Sequence, residues 1–119
     1  MNKINVFEKL SSFQDYWDPK IVGELNEQYV KLAKFKGEFV WHTHENEDEM
    51  FFVLNGELIM EFRDHKTKLQ ENEFIVVPRG TEHRPVAKKE VAVMLIEPKS
   101  TINTGDKEGN MTLNNLDII

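Results

Sequence analysis

The chain has 119 residues, the size of a single domain, long enough to bury on the order of two-thirds of its unfolded surface. Its formal net charge of −6 argues against a phosphate backbone or an anionic membrane as a standing partner. It has no cysteine, which excludes disulfides, thiolate metal sites and cysteine nucleophiles, so any metal must be held by nitrogen and oxygen.

Met1 to Glu8 lack the apolar core of a secretion signal, and the longest apolar run, Val91 to Ile96, is too short to span a bilayer. A cytoplasmic protein with no nucleic-acid or membrane partner is expected. Val6, Phe7, Leu10 and Phe13 recur at roughly helical spacing, which predicts a short amphipathic helix over 5–13. Asp18-Pro19 then interrupts the chain. Residues 21–35 read as one or two strands, with Asn26-Glu27 as a turn. Glu38 to His44 alternates as a half-buried strand would, and Met50 to Leu54 is a continuous apolar run. Asn55-Gly56 follows, then Glu57 to Arg63 with Leu58, Met60 and Phe62 on one face. An Asn-Gly pair between two such runs predicts a β-hairpin closed by a type I′ turn. Asp64-His65-Lys66 reads as the next turn, and Phe74–Val77 and Val91–Ile96 as compact strands.

Many short strands favour an antiparallel sandwich or barrel. The expectation is one all-β domain, residues 1–119, with a barrel core over about 21–97. A polar tail, 98–119, should lie along the surface or be partly mobile. Met50–Leu54 and Val91–Ile96 are apolar at both strand parities, so both of their faces must be covered. The chain's own ends or a second subunit could do this.

The chemistry sits in two spacings: His42-x-His44-x4-Glu49 and Pro78-x-Gly80-x2-His83. Two histidines at i and i+2 on a strand point to one face, and a fold that brings distant strands together would add Glu49 and His83. Three imidazoles and one carboxylate suit a divalent Mn, Fe, Co, Ni, Cu or Zn ion. On an octahedral ion, four such ligands leave two open positions for a small oxygen-rich ligand. Phe51 and Val53 share parity with Glu49 and are candidates for an apolar pocket wall. Trp41 and Phe39 alternate with the proposed ligands and should face away. His65 reads as a solvated turn residue, and Arg84 as solvated unless it steers an anionic substrate. Glu82 would serve as acid or base only if turned inward. The acidic run Glu45 to Glu49 lacks the spacing and central glycine of a calcium loop. Ser11, Ser12 and Ser100 lack a nucleophile elbow.

With these residues in view, the chain resembles the cupin superfamily, in particular the small single-domain cupins. Gly37, His42, His44, Glu49 and Gly56 fill the places of the first cupin motif in order, and Pro78, Gly80 and His83 match the second. Gly37 stands one residue closer to His42 than usual, Asn72 stands for a glycine, and Ala87 for an asparagine. None of these departures removes a ligand. The resemblance spans roughly Val30 to Ile96. It implies a six-to-eight-stranded β-barrel or jelly roll, a metal held by His42, His44, Glu49 and His83, and pairing into a homodimer. Known superfamily members include isomerases, dioxygenases, decarboxylases, lyases, epimerases and proteins without catalysis. A metal-dependent enzyme of a small oxygenated metabolite is the expected function; the alternative is a non-catalytic metal or small-ligand binding module.

Overall fold

The computed structural model describes residues 1–119 as one helical turn followed by seven strands. Helix α1, Val6–Leu10, starts at Asn5, whose side chain accepts from the Glu8 N–H at 3.0 Å. It stops short of the expected residue 13. The Ser11 and Ser12 hydroxyls donate to the Glu8 and Lys9 carbonyls and so compete with helix propagation. Phe13 is buried all the same.

The strands are β1 (Lys20–Leu25), β2 (Gln28–Glu38), β3 (Glu49–Asn55), β4 (Leu58–Phe62), β5 (Lys66–Leu69), β6 (Phe74–Val77) and β7 (His83–Pro98). β7 is the axis of the fold. β2 runs antiparallel along one side of it. On its other side β3 pairs with residues 92–96 and β4 with residues 83–86. One ladder continues as β1-β2-β7-β3-β6, while β5 pairs with β4 at the other end. The result is one seven-stranded antiparallel sheet in which β7 pairs with β2, β3 and β4.

Two expectations are corrected here. β3 and β4 do not form a hairpin; they lie end to end along β7 as two pieces of one bent strand. Gly56 makes the bend, at φ +96°, where a Cβ would stand 2.9 Å from the Glu90 carbonyl oxygen. The glycine is needed for that close approach of two backbones. Nor is Glu38 to His44 a strand. β2 ends at Glu38, and beyond it His42 makes an isolated bridge to His83. A regular ladder would then set Val40 opposite Pro85, but it is the Phe39 N–H that reaches the Pro85 carbonyl, at 3.1 Å. Pro85 has no N–H to return. One residue is extra, and the segment bulges.

Inward-facing Phe35, Phe51, Val53, Leu58, Met60, Val91, Val93 and Leu95 belong to a single twelve-residue core. Each large apolar side chain so buried contributes about 1.5–3 kcal/mol. The outer face of the β2–β7–β3 region is covered by the chain's own ends. Leu10 and Phe13 pack on Leu32 and Ala92, joined by Val6, Leu54, Met94 and Ile119. The C-terminus is held beside β1 by two backbone bonds, Ile21 N–H to Asp117 and Ile119 N–H to Ile21. At edge strand β6, by contrast, Phe74 and Val76 stay 58% and 50% exposed. No helix is long and apolar enough to cross a membrane.

Candidate metal centre

The four candidate ligands come from three places in the chain: His42 and His44 from the loop after β2, Glu49 from the start of β3 and His83 from the start of β7. His42 and His83 exchange two main-chain hydrogen bonds at 3.0 Å. The His44 carbonyl accepts from the Gly80 N–H at 2.8 Å, which ties the second motif's turn to the first. Glu49 opens β3 and pairs with Val77; His83 opens β7. Thr43, between the two histidines, donates its N–H to the Asp106 carboxylate at 2.8 Å and accepts from the Asp106 N–H at 3.1 Å. The tail therefore lies against the ligand-bearing loop.

The side chains converge. His42, His44, Glu49 and His83 are all buried and offer ligand atoms that lie within 4.8 Å of one another. Glu49 Oε1 is 3.1 Å from both His44 Nε2 and His83 Nε2. Adjacent ligands on an ion with bonds of about 2.1 Å stand about 3.0 Å apart, so these separations suit one coordination shell. Nδ1 of His42 lies 2.8 Å from the Val40 carbonyl, and Nδ1 of His83 lies 2.8 Å from that of Thr81. A carbonyl only accepts, so each Nδ1 carries the proton and Nε2 keeps its lone pair. Neither ring nitrogen of His44 has a hydrogen-bond partner despite burial. Orphaned buried nitrogens are rare and call for an explanation. A divalent ion supplies one, and the residues present fit it.

The electrostatics agree. Burial, with the neighbouring His83, lowers the His42 pKa to about 4, so the imidazole is neutral and ready to ligate at ordinary pH. Burial alone would raise Glu49, but the His44 and His83 imidazoles, each 3.1 Å from Oε1, outweigh it and hold the carboxyl well below the usual range. Burial and the adjacent Glu49 push Glu97 well above it.

Beside the four residues lies a cavity of about 30 Å³, lined by Trp17, Phe35, Phe39, Phe51, Glu97 and Asn103 among others, with His42 and Glu49 at its wall. That is room for about two waters. Trp17 stacks on Phe35 and Phe39 with ring centroids 4.3 and 4.9 Å away, and Phe39 meets His42 edge-on at 5.4 Å. Phe51 lines the cavity. Val53, two residues further from the ligands, is wholly buried in the core opposite Val93 and does not reach the cavity. Phe39 departs from expectation by facing in, because the bulge before His42 inverts its parity. Trp41 faces out, beneath the Arg63 and Arg84 guanidinium groups.

The remaining candidates lie elsewhere. His65 is exposed beside Asp64, Glu82 pairs with Arg63, and Arg84 pairs with Glu61 and Glu38. Sequence reasoning missed Glu97 and Asn103. Glu97 carried a signal: it continues the inward parity of Val91, Val93 and Leu95. Asn103 carried none, lying in an aperiodic tail.

The model of the cupin domain family matches residues 28–98. The chain is 45% identical over 64 residues to the uncharacterized protein YdbB of Bacillus subtilis (strain 168), a match that covers 53% of this chain and 57% of YdbB. The chain thus spans little more than half the length of that relative. A cupin-2 domain containing protein from Shewanella frigidimarina NCIMB 400 superposes with a TM-score of 0.80 at 46% identity, over 81% of this chain and 94% of that one. Protein NMB1881 from Neisseria meningitidis superposes with a TM-score of 0.76 at 30% identity, over 82% of this chain and 100% of that one. With its fold, both motifs and these relatives in agreement, the chain belongs to the cupin domain family.

Proposed function

We propose that this protein is a single-domain, metal-dependent enzyme of a small oxygenated metabolite. It holds one divalent transition metal through His42, His44, Glu49 and His83. The observation that carries this reading is His44, buried with both ring nitrogens unpartnered and one of them 3.1 Å from Glu49. When bound, such an ion supplies Lewis acidity, or redox chemistry if it is iron, at the positions the protein leaves open. The protein's own residues do the rest. Trp17, Phe35, Phe39 and Phe51 exclude water and flank the ligand, while Asn103 and Glu97 offer the polar contacts that orient it. Isomerase, lyase and dioxygenase reactions all fit that description.

One observation favours the alternative, a non-catalytic binding module. Apart from the four ligands, Glu97 is the one side chain at the cavity able to carry a proton. Metal analysis after loading, followed by a thermal-shift screen of hydroxy- and oxo-acids and of phenols on loaded and metal-free protein, tests the proposal. Hits confined to the loaded form, converted to product, support the enzyme. Hits that bind without turnover support the module. Failure to retain any metal overturns the enzyme and the metal-binding form of the module; hits that stabilise the metal-free protein equally support a small-ligand module alone. Homodimer formation and a cytoplasmic location complete the proposal.

A further inference from the structure

The candidate ligands border two different spaces. His42 and Glu49 lie at the wall of the apolar cavity, beside Trp17, Phe35, Phe39 and Phe51. His44 instead lines a surface cleft between the loop that carries the histidines and the start of the C-terminal tail. Three carboxylates, Glu45, Glu47 and Asp106, border that cleft, and no lysine or arginine does. Asp106 is engaged by the Thr43 N–H at 2.8 Å and by Lys107 at 4.0 Å. Glu47 is held through one oxygen: Oε2 accepts from the Ser100 hydroxyl at 2.9 Å, while Oε1 stands 3.9 Å from His44 Nδ1, too far for a hydrogen bond. The His44 ring is thus buried, with Nδ1 toward Glu47 and Nε2 toward Glu49. It is also the one imidazole of the three that no hydrogen bond holds, since His42 and His83 are tied through Nδ1 to Val40 and Thr81.

A hydrated divalent ion meets the two spaces on unequal terms. In the small aromatic-walled cavity it would have to shed its water among apolar groups, which is costly for a charge. In the cleft, carboxylates of one sign concentrate cations, and focused fields of this kind raise association rates by roughly 10–1000-fold. We propose that the metal ion reaches the centre through this acidic cleft, with Glu45 and Glu47 drawing it in and the unheld His44 ring as the ligand it meets first. The apolar cavity is left to the organic ligand. The inference rests on the metal-site reading above.

Full-length protein and its Glu47→Gln and Glu45→Gln/Glu47→Gln variants are mixed with Mn(II) in a stopped-flow instrument, with quenching of tryptophan fluorescence as the signal. Dissociation is measured by chasing the loaded protein with excess chelator. Glu57→Gln, at the end of β4 far from the Phe62–His83 pair, controls for net charge. The double variant should load about 10-fold more slowly than wild type, with a weaker dependence on ionic strength and no faster dissociation. Glu47→Gln should fall between the two, and Glu57→Gln should match wild type. A wild-type association rate in the double variant, or an effect confined to faster dissociation, would overturn the route and leave the metal site standing. Equal slowing in Glu57→Gln would overturn it as well. A wild-type protein that binds no Mn(II) would overturn both the route and the site.

Discussion

His42 and His83 exchange both of their main-chain hydrogen bonds, N–H to carbonyl at 3.0 Å in each direction, which sets their ring centroids 4.4 Å apart. The two halves of the candidate site are thus registered by backbone and not by an ion. The core of the barrel is equally independent of metal, its interior being filled by side chains such as Val53, Leu58 and Met60. A scaffold of this kind fixes the four candidate ligands through its own backbone and core, unlike small domains that fold only on binding metal.

His44→Ala follows directly from that relationship. The substitution removes a buried imidazole that makes no hydrogen bond, so metal-free stability should fall by no more than about 2 kcal/mol. Metal affinity should fall by more than the roughly 100-fold attached to the loss of an outer partner. Denaturant unfolding of the metal-free forms and calorimetric metal titration measure the two effects separately. Equal losses in both would mean that the imidazole is structural.

How much of this was legible in the sequence depended on whether the signal was local. The order of the two motifs was, and it brings His42, His44, Glu49 and His83 together although the segment carrying the two histidines is a bulged loop and not the expected strand. The Asn26-Glu27 turn between β1 and β2 was also local, with Asn26 at φ 51°. The Asn55-Gly56 signal was equally clear but misled. A long partner, β7, ran past the bend and paired with both β3 and β4, and that nonlocal pairing overrode the turn preference. Phe39 was misplaced by one extra residue opposite Pro85, and parity arguments do not survive a bulge. The tail was the least legible part. Its attachment runs through single contacts such as Asp106 to Thr43, and its apolar residues show no period.

In the metal-free protein, His42 should titrate with a midpoint near 4 instead of 6.5. Between these values the unfolded chain takes up a proton that the folded chain refuses. The His42 contribution to stability is therefore complete above pH 6.5 and declines as pH falls toward 4, by at most about 3 kcal/mol. Imidazole NMR titration gives the midpoint. A normal value near 6.5 would show that the ring is solvated in the absence of metal.

Gly105 links the tail to the site. It sits at φ +54°, and a Cβ there would stand 2.3 Å from the Thr43 carbonyl oxygen and 3.2 Å from His42 Cδ2. Gly105→Ala must therefore push the tail off the loop that carries both histidines. The expected result is a stability loss of about 1–3 kcal/mol together with weaker metal binding. Gly109→Ala, with open space around it, serves as the control and should change neither. Metal titration of the two variants decides whether the tail supports the site.

The outer surface around β6 offers a separate test. Phe74 and Val76 are exposed on an edge strand and pair with half-buried Phe52 and Met50 on β3, an apolar surface that the chain's own ends leave uncovered. If the protein is a homodimer through this surface, light scattering after gel filtration should give twice the chain mass of 14.0 kDa. Val76→Glu should then return it to the monomer without loss of metal. A wild-type monomer at tens of micromolar would exclude this interface.

Trp17 is the last element to test, because it closes the cavity from outside the barrel strands. Its backbone sits at φ 58°, a conformation that bulky side chains rarely adopt, and is held by hydrogen bonds from its N–H to Lys34 and from its indole to Lys36. Strain of this kind persists only where surrounding contacts repay it; here these include the stacks on Phe35 and Phe39. Trp17→Ala deletes both stacks and keeps the strained backbone, so stability should fall by about 2–4 kcal/mol. Trp17→Gly also relieves the left-handed φ, which is worth about 1–2 kcal/mol, and should be the more stable of the pair despite glycine's greater chain entropy. Both should retain the ion, whose four candidate ligands Trp17 does not provide, while admitting bulkier hydroxy- or oxo-compounds than wild type in the thermal-shift screen. Unchanged ligand selectivity in both variants would show that Trp17 is packing alone and that entry to the cavity lies elsewhere.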